Sequence, residues 1–199
     1  MVKRMLALLG SPRRSGMVSR MLDVAVQRAE KAGWEVVRFD LYELALLPCT
    51  GCMACRGGAC CPLPDRLPPL RREFLRCDLC VLAAPVYFAN VPGPVKTMFD
   101  RLAGSVMEDT STFPRPLLKK EQRYLLLTAC TTPSPFSWLC GQSRGALRAM
   151  KEFFGTAGMR KLGSVVFAGS RGKSALPDGV RRKILARMDR LLGGVRQGR

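Results

Sequence analysis

The sequence predicts a doubly wound α/β fold: a five-stranded parallel sheet with helices on both faces. Two observations predict it. Five short apolar runs alternate with five stretches of helical periodicity along the 199 residues, the order in which strand–helix–strand crossovers build a parallel sheet. The central run, "LCVLAAP" (79–85), is apolar at consecutive positions, as a strand buried on both faces requires.

Taken in order, "KRMLALL" (3–9) is the first strand and ends at Gly10. Val18, Met21, Leu22, Ala25, Val26 and Ala29 recur at helical spacing, and Gly33 stops that helix. "WEVVRFDL" (34–41) is the second strand, and the cysteine-rich stretch after it is a loop. Asp65 is placed to cap a helix over 66–76, whose first turn tolerates Pro68 and Pro69. The strand at 79–85 leads to a helix marked by Val95, Met98, Phe99, Leu102 and Val106. "RYLLLTAC" (123–130) and "KLGSVVFAG" (161–169) are the fourth and fifth strands. Leu147, Met150, Phe153 and Phe154 mark the helix between them, and Val180, Ile184, Leu185, Met188, Leu191 and Leu192 mark the last one. No internal repeat or long linker divides the chain, so residues 1–199 read as one domain, with a Cys-rich loop at 48–61 and a basic C-terminal helix and tail.

Composition narrows the function. No apolar run approaches a membrane span; the best, Val81–Val86, is interrupted by Pro85. The apolar stretch Met5–Leu9 is too short for a secretory signal. The chain reads as cytoplasmic, with no membrane partner, and that setting argues against disulfides among the nine cysteines. The formal charge is +18, with Arg outnumbering Lys. Residues 160–199 hold eleven basic and two acidic residues, but spread out and without a nucleic-acid-binding motif. Nucleic acid is therefore not the expected partner, whereas a phosphate-bearing cofactor gains from the positive field. With no histidine in the chain, Ser–His and Cys–His catalysis and histidine metal ligands are excluded.

Ligands of a doubly wound sheet sit beyond the carboxyl ends of the strands. "GSPRRSG" follows the first strand, "PVYFANVPG" the third and "CTTPSPFSW" the fourth; the cysteine loop lies near the same rim. In "GSPRRSGMVS" (10–19), Gly10 and Gly16 permit tight turning, Ser11, Ser15 and Ser19 bring hydroxyls, and Arg13 and Arg14 bring charge beside the free N–H groups of a helix start. These are the parts of a phosphate cradle, though neither a Walker A loop nor the dinucleotide fingerprint. In "PVYFANVPGPVK" (85–96), Tyr87 and Phe88 stand beside Asn90 and free backbone amides. Flat rings beside backbone donors suit a planar heteroaromatic ligand.

The run "PCTGCMACRGGACC" (48–61) holds five cysteines. Cys49, Cys52 and Cys55, followed by Cys60 or Cys61, are spaced to wrap a [4Fe–4S] cluster, with Gly57 and Gly58 letting the chain turn back. Zinc is the alternative metal. Cys77 and Cys80 form a second C-x-x-C at the entrance to a strand, where Cys80 reads as a small buried apolar residue. Cys130 and Cys140 flank the loop after the fourth strand and are not expected to be ligands.

Through "GSPRRSG", "PCTGCMAC" and "APVYFANVPGPVKTMFDR", the chain resembles the NADPH-dependent FMN reductase family of flavodoxin-like proteins, most of all its iron–sulfur flavoprotein branch. The likeness covers residues 1–130 and, beyond them, the order of elements. It implies strand order 2-1-3-4-5, one FMN per chain, NAD(P)H as electron donor, and a small acceptor such as a quinone or a flavin. The chemistry is then the cofactor's, and no side chain is assigned a catalytic role. Ser11, Arg13, Ser15, Gly16 and Ser19 would surround the phosphate. Pro85, Val86, Tyr87, Phe88, Ala89 and Asn90 would line the isoalloxazine, with Thr128 to Thr131 closing the other side. Relatives carry Gly-Asn-Thr where this chain has Gly16-Met17-Val18, so two side-chain hydrogen bonders are missing. The likeness also implies Cys61, rather than Cys60, as fourth ligand beside Cys49, Cys52 and Cys55, and a homodimer or tetramer. A rival within this class is an iron–sulfur flavoprotein relaying single electrons from ferredoxin. A rival outside it is a basic, zinc-stabilised binding module without flavin.

Overall fold

The computed structural model describes residues 2–193; residues 194–199, the end of the expected basic tail, lie outside the described residues. Along the chain run β1 (Arg4–Leu9), α1 (Met17–Glu30), β2 (Glu35–Asp40), a one-turn α2 (Leu41–Leu44), a 3-10 turn (Arg56–Gly58), α3 (Leu67–Arg76), β3 (Leu79–Pro85) and α4 (Gly93–Val106). Then come β4 (Met107–Glu108), β5 (Arg115–Pro116), β6 (Arg123–Cys130), a short α5 (Phe136–Leu139), α6 (Gln142–Thr156), β7 (Arg160–Ala168) and α7 (Asp178–Leu192).

Five strands pair in parallel in the order β2-β1-β3-β6-β7. Counting only these strands, that is the expected 2-1-3-4-5. β4 and β5 make a small antiparallel pair outside the sheet.

Each central strand divides its side chains between two cores, because successive residues point to opposite faces. Leu6, Leu8, Leu82, Ala84, Tyr124 and Leu126 face α3, α4 and α6. There Phe74, Phe99, Phe153, Phe154 and Tyr124 form a chain of ring contacts with centroids 4.2–6.0 Å apart, spacings at which aromatic pairs attract beyond their area burial. Met5, Ala7, Leu9, Val81, Ala83, Leu125 and Leu127 face α1 and α7. The two cores explain why the runs at 4–9, 79–85 and 123–130 lack polar alternation.

Two details differ from expectation. α6 begins at Gln142, five positions before Leu147, because Ser143 and Ala146 are already buried. Asp65 serves α3 from just outside it: Oδ1 accepts the Leu67 N–H at 3.0 Å, and Oδ2 accepts the Leu47 N–H at 2.9 Å. Cys80 is buried against the core as expected, and burial pushes its thiol well above the ordinary value.

Candidate functional site

A cavity of about 610 Å³ opens beyond the carboxyl ends of β1, β3, β6 and β7, within the usual range for ligand pockets. It spans the point where the connections out of β1 and β3 diverge to opposite sides, the ligand position of doubly wound sheets.

The loop after β1 forms one wall. Gly10 passes so close to α4 that a Cβ there would lie 2.4 Å from Val95 Cγ2. Its N–H is held by the Ala83 carbonyl at 2.8 Å. Ser11, Arg13, Ser15 and Gly16 all line the cavity. Ser11 Oγ accepts the Arg13 N–H at 3.2 Å, which folds the loop back under the opening. Gly16 is the N-cap of α1, with no side-chain cap and no acidic residue in the first turn. The helix start therefore keeps its positive end toward the cavity. The two arginines differ: Arg14 pairs with Asp40 and Glu43, whereas Arg13 has no ion pair among the described residues. Ser19 is fully buried beneath the helix, and its Oγ accepts from Arg38 at 3.0 Å. The structure thus gives Ser19 to the packing of α1 on β2 and not to the cavity wall.

The loop after β3 forms the second wall. Pro85, Val86 and Tyr87 line the cavity, while Phe88, Ala89 and Asn90 do not. Tyr87 and Asn90 exchange two backbone hydrogen bonds of 2.9 Å, so Phe88 and Ala89 sit at the tip of a tight turn. Both take left-handed φ, +49° and +58°, a conformation costly for side chains other than glycine. The turn is wedged in place because Ala89 packs on Gly145 of α6, where a Cβ would come within 2.0 Å of its carbonyl oxygen. Phe88 projects fully into solvent, and the Asn90 side chain accepts the Val91 N–H at 2.8 Å.

The strand ends of β6 and β7 complete the enclosure. Ala129, Cys130 and Thr131 line it. Thr128 is fully buried, and its hydroxyl donates to the Ala84 carbonyl at 2.7 Å, tying β6 to β3 behind the cavity. Sequence reasoning missed Arg20 and the segment Ser170–Ser174. The signal was present: "GSRGKS" follows a carboxyl strand end just as the other wall loops do.

The cysteine loop is built differently. Arg101 of α4 has a wholly buried side chain and meets Asp65 through two nitrogens, at 2.6 and 3.1 Å, and the Leu47 carbonyl at 2.6 Å. One residue thus clasps both ends of the loop. Burial pulls the Arg101 guanidinium down, but hydrogen bonds to Asp65 and Cys61 outweigh it and leave it above its ordinary value. Burial likewise pushes the Asp65 carboxyl up, and the Arg101 guanidinium with the Leu47 and Leu67 N–H groups brings it below the usual range. Midway, Cys55 rests on Gly104, where a Cβ would lie 2.4 Å from the Cys55 carbonyl oxygen and 2.8 Å from its Sγ. Hydrogen bonds from Ala54 and Thr50 hold the Cys52 thiol below its ordinary value. Cys49, Cys52 and Cys60 are exposed, and Cys55 and Cys61 half-buried. The donor chemistry suits a soft metal or cluster. Among the described residues, however, no three Cys, Asp or Glu side chains come close enough together to hold a metal ion. The loop as it stands presents ligands without converging them.

A flavin mononucleotide fits the main cavity on grounds the structure itself supplies. The described lining residues include Arg13, Arg20, Arg171 and Lys173 and no carboxylate, so the wall invites a phosphate; Tyr87 and the backbone groups of the second wall suit a flat ring. The chain matches the family described as NADPH-dependent FMN reductase over residues 3–120, more than half its length, and it belongs to that family. It is 38% identical over 95 residues to an iron-sulfur flavoprotein of Archaeoglobus fulgidus, covering 48% of this chain and 43% of that one. It is 30% identical over 92 residues to an iron-sulfur flavoprotein of Methanosarcina thermophila, covering 46% and 48%. The chain spans about half the length of these curated relatives. Among solved structures, an NAD(P)H:quinone oxidoreductase from Methanothermobacter marburgensis aligns over 98% of this chain and 100% of its own, with a TM-score of 0.72 at 16% identity. That likeness shows the flavodoxin-like fold.

Proposed function

We propose that this chain is an FMN-dependent oxidoreductase that takes electrons from NAD(P)H and passes them to a small acceptor such as a quinone or a flavin. The observation that carries the reading is the cavity at the strand ends, walled by a cationic cradle and an aromatic turn, in a chain of the FMN reductase family. FMN, when bound, supplies the hydride acceptance and electron release that no side chain here provides. Arg13 and the first N–H groups of α1 hold its phosphate. Pro85, Val86 and Tyr87 border its ring system, and Phe88, fully exposed at the tip of the same turn, is open to an approaching donor or acceptor. The cationic wall stabilises negative charge accumulating in the cavity.

We read residues 1–199 as one FMN-binding domain, working in the cytoplasm, the reducing compartment that nine unpaired thiols suit. No helix among the described residues is long and apolar enough to cross a membrane. Exposed Phe88, Phe136, Trp138 and Leu139 on the loops after β3 and β6 favour a homo-oligomer that covers them.

The test is direct. Protein titrated with FMN should quench flavin fluorescence, bind FAD more weakly, and oxidise NADH or NADPH in the presence of a quinone. A chain that ignores FMN at high concentration, or binds it and oxidises neither nucleotide, refutes the reading. A second reading, an iron–sulfur flavoprotein relaying single electrons from ferredoxin, draws support from one observation: Arg101 and Gly104 seat the cysteine loop on a helix whose own start lies beside the cavity wall. The visible spectrum of anaerobic protein separates the two, flavin bands alone or with a broad iron–sulfur shoulder. A zinc-stabilised module without flavin would show neither, and membership of the FMN reductase family speaks against it.

A further inference from the structure

We infer that the loop after β7, Ser170–Ser174, is the second half of the phosphate site, with Arg171 and Lys173 gripping the phosphate monoester of FMN from the side opposite Arg13. The inference rests on the flavin reading above and adds the residues that read the cofactor's anionic end.

The first-turn side chains of α1 leave the cradle incomplete. Met17 and Val18 line the cavity but donate no hydrogen bond, and Ser19 is committed to Arg38. Beyond backbone N–H groups, that wall offers Ser11, Ser15 and Arg13, with Arg20 committed to two backbone carbonyls. The opposite wall carries what is missing. Arg171 and Lys173 line the same cavity, and neither forms an ion pair among the described residues. A concave surface with four cations and no carboxylate repels itself until an anion enters.

The loop is also held ready. Gly169 N–H donates to the Thr132 carbonyl, and both the N–H and the hydroxyl of Ser170 donate to the Cys130 carbonyl, all at 3.0 Å. Gly169 and Gly172 take φ of +72° and +69°, so the segment turns where glycine permits it. Arg20 then joins the two walls: its Nε donates to the Ser15 carbonyl at 3.2 Å and its Nη1 to the Ser174 carbonyl. One arginine on α1 thereby fixes the cradle loop and the β7 loop at a set separation. A loop whose backbone is already held loses little ordering entropy of its own when the phosphate binds.

The same chemistry could instead serve the 2′-phosphate of a nicotinamide dinucleotide, so the test has arms for both. Arg171→Ala/Lys173→Ala should weaken FMN about 10–100-fold by calorimetric titration, the scale of losing charge-assisted hydrogen bonds. Riboflavin, which lacks the phosphate, should change less than about threefold. Arg171→Lys should restore part of the loss, since charge returns without the planar fork. At saturating FMN, the ratio of KM for NADPH to KM for NADH should stay as in the wild type. A change in that ratio with no change in FMN over riboflavin assigns the loop to the donor and overturns the inference, as does equal loss, or no loss, of both flavins. A wild type that binds neither flavin refutes the flavin reading instead. The loop is then judged with inorganic phosphate: protection of the wild type against thermal unfolding that the double variant lacks supports it, and absence of protection overturns it.

Discussion

The cavity at the strand ends and the cysteine loop lie on the same molecule and are organised in opposite ways. The cavity walls grow from strand ends, and each is pinned by backbone hydrogen bonds to a neighbouring strand: Gly10 to Ala83, Val86 to Ala129, Ser170 to Cys130. The backbone that carries its cations is therefore set before any ligand arrives. The cysteine loop has no such ladder. It is fastened at its ends by Asp65 and Arg101 and inside by Cys55 resting on Gly104 and by Arg56 paired with Asp109, and most of its thiols face solvent. A site borrowed from the sheet is shaped by folding, whereas a site on a tethered loop is left for its ligand to shape.

Breaking the clasp should have the largest effect. Arg101→Met leaves Asp65, 6% exposed, as an uncompensated buried carboxylate, and should cost about 3–5 kcal/mol in urea unfolding. Asp65→Leu combined with Arg101→Met should recover part of that, since an apolar pair avoids both desolvation penalties. A double variant as unstable as the single one would show that the Leu47 and Leu67 contacts, not the charge, carry the clasp. The pH dependence follows in sign. The folded-state pKa of Asp65 lies below its ordinary value. Its stabilisation is therefore present above the unfolded value of about 3.9 and is lost as pH falls through the folded one. Stability should fall more steeply on acidification in the wild type than in Asp65→Asn; parallel curves would contradict the assignment.

Arg13→Ala is the corresponding cut in the cradle. It should leave the fold intact and weaken FMN by about 1.5–3 kcal/mol, with riboflavin far less affected. Equal losses for both ligands would place Arg13 away from the phosphate.

Gly104→Ala sharpens the comparison from the loop's side. The new Cβ must displace the Cys55 backbone, at a cost of about 1–3 kcal/mol, and free the loop from α4. Reaction of Cys55 with a thiol reagent should accelerate while FMN affinity stays unchanged. If FMN affinity falls in step, the two regions are coupled and the contrast drawn above fails.

What the sequence made legible follows the same divide. The three central strands were readable because burial on both faces forces continuous apolar runs such as Leu79–Ala84, whereas the order of all five in the sheet came from the family resemblance. Ser11, Arg13, Ser15, Pro85, Val86 and Tyr87 were readable as wall residues because strand ends fix where such loops go. Ser19 and Thr128 point into packing instead, since loop composition does not tell which way a side chain turns once a helix or strand has begun. The left-handed pair Phe88 and Ala89 had no glycine to announce it; the wedge against Gly145 comes from a helix more than fifty positions away. Convergence of the cysteines was beyond reach for a related reason, because spacing says which thiols are near in sequence and not whether the backbone between them closes.

The smallest expected effect lies at Cys60, and it tests which thiols that loop would use. If the loop closes on a cluster when anaerobic protein is reconstituted with iron and sulfide, Cys52→Ala should lose the iron–sulfur absorbance, because three remaining ligands leave a labile site. Cys61 is half-buried and within hydrogen-bonding reach of Arg101, while Cys60 is exposed. The guanidinium that fixes the loop ends thus also reaches Cys61, as outer partners hold metal ligands elsewhere. Cys60→Ala should then change iron content, absorbance and melting temperature within error of zero, whereas Cys61→Ala should lose the iron. The reverse pattern would exchange the two residues' roles. If the wild type itself takes up no iron, the loop carries thiols or zinc, and the exposed Cys60 becomes the one most open to a thiol reagent.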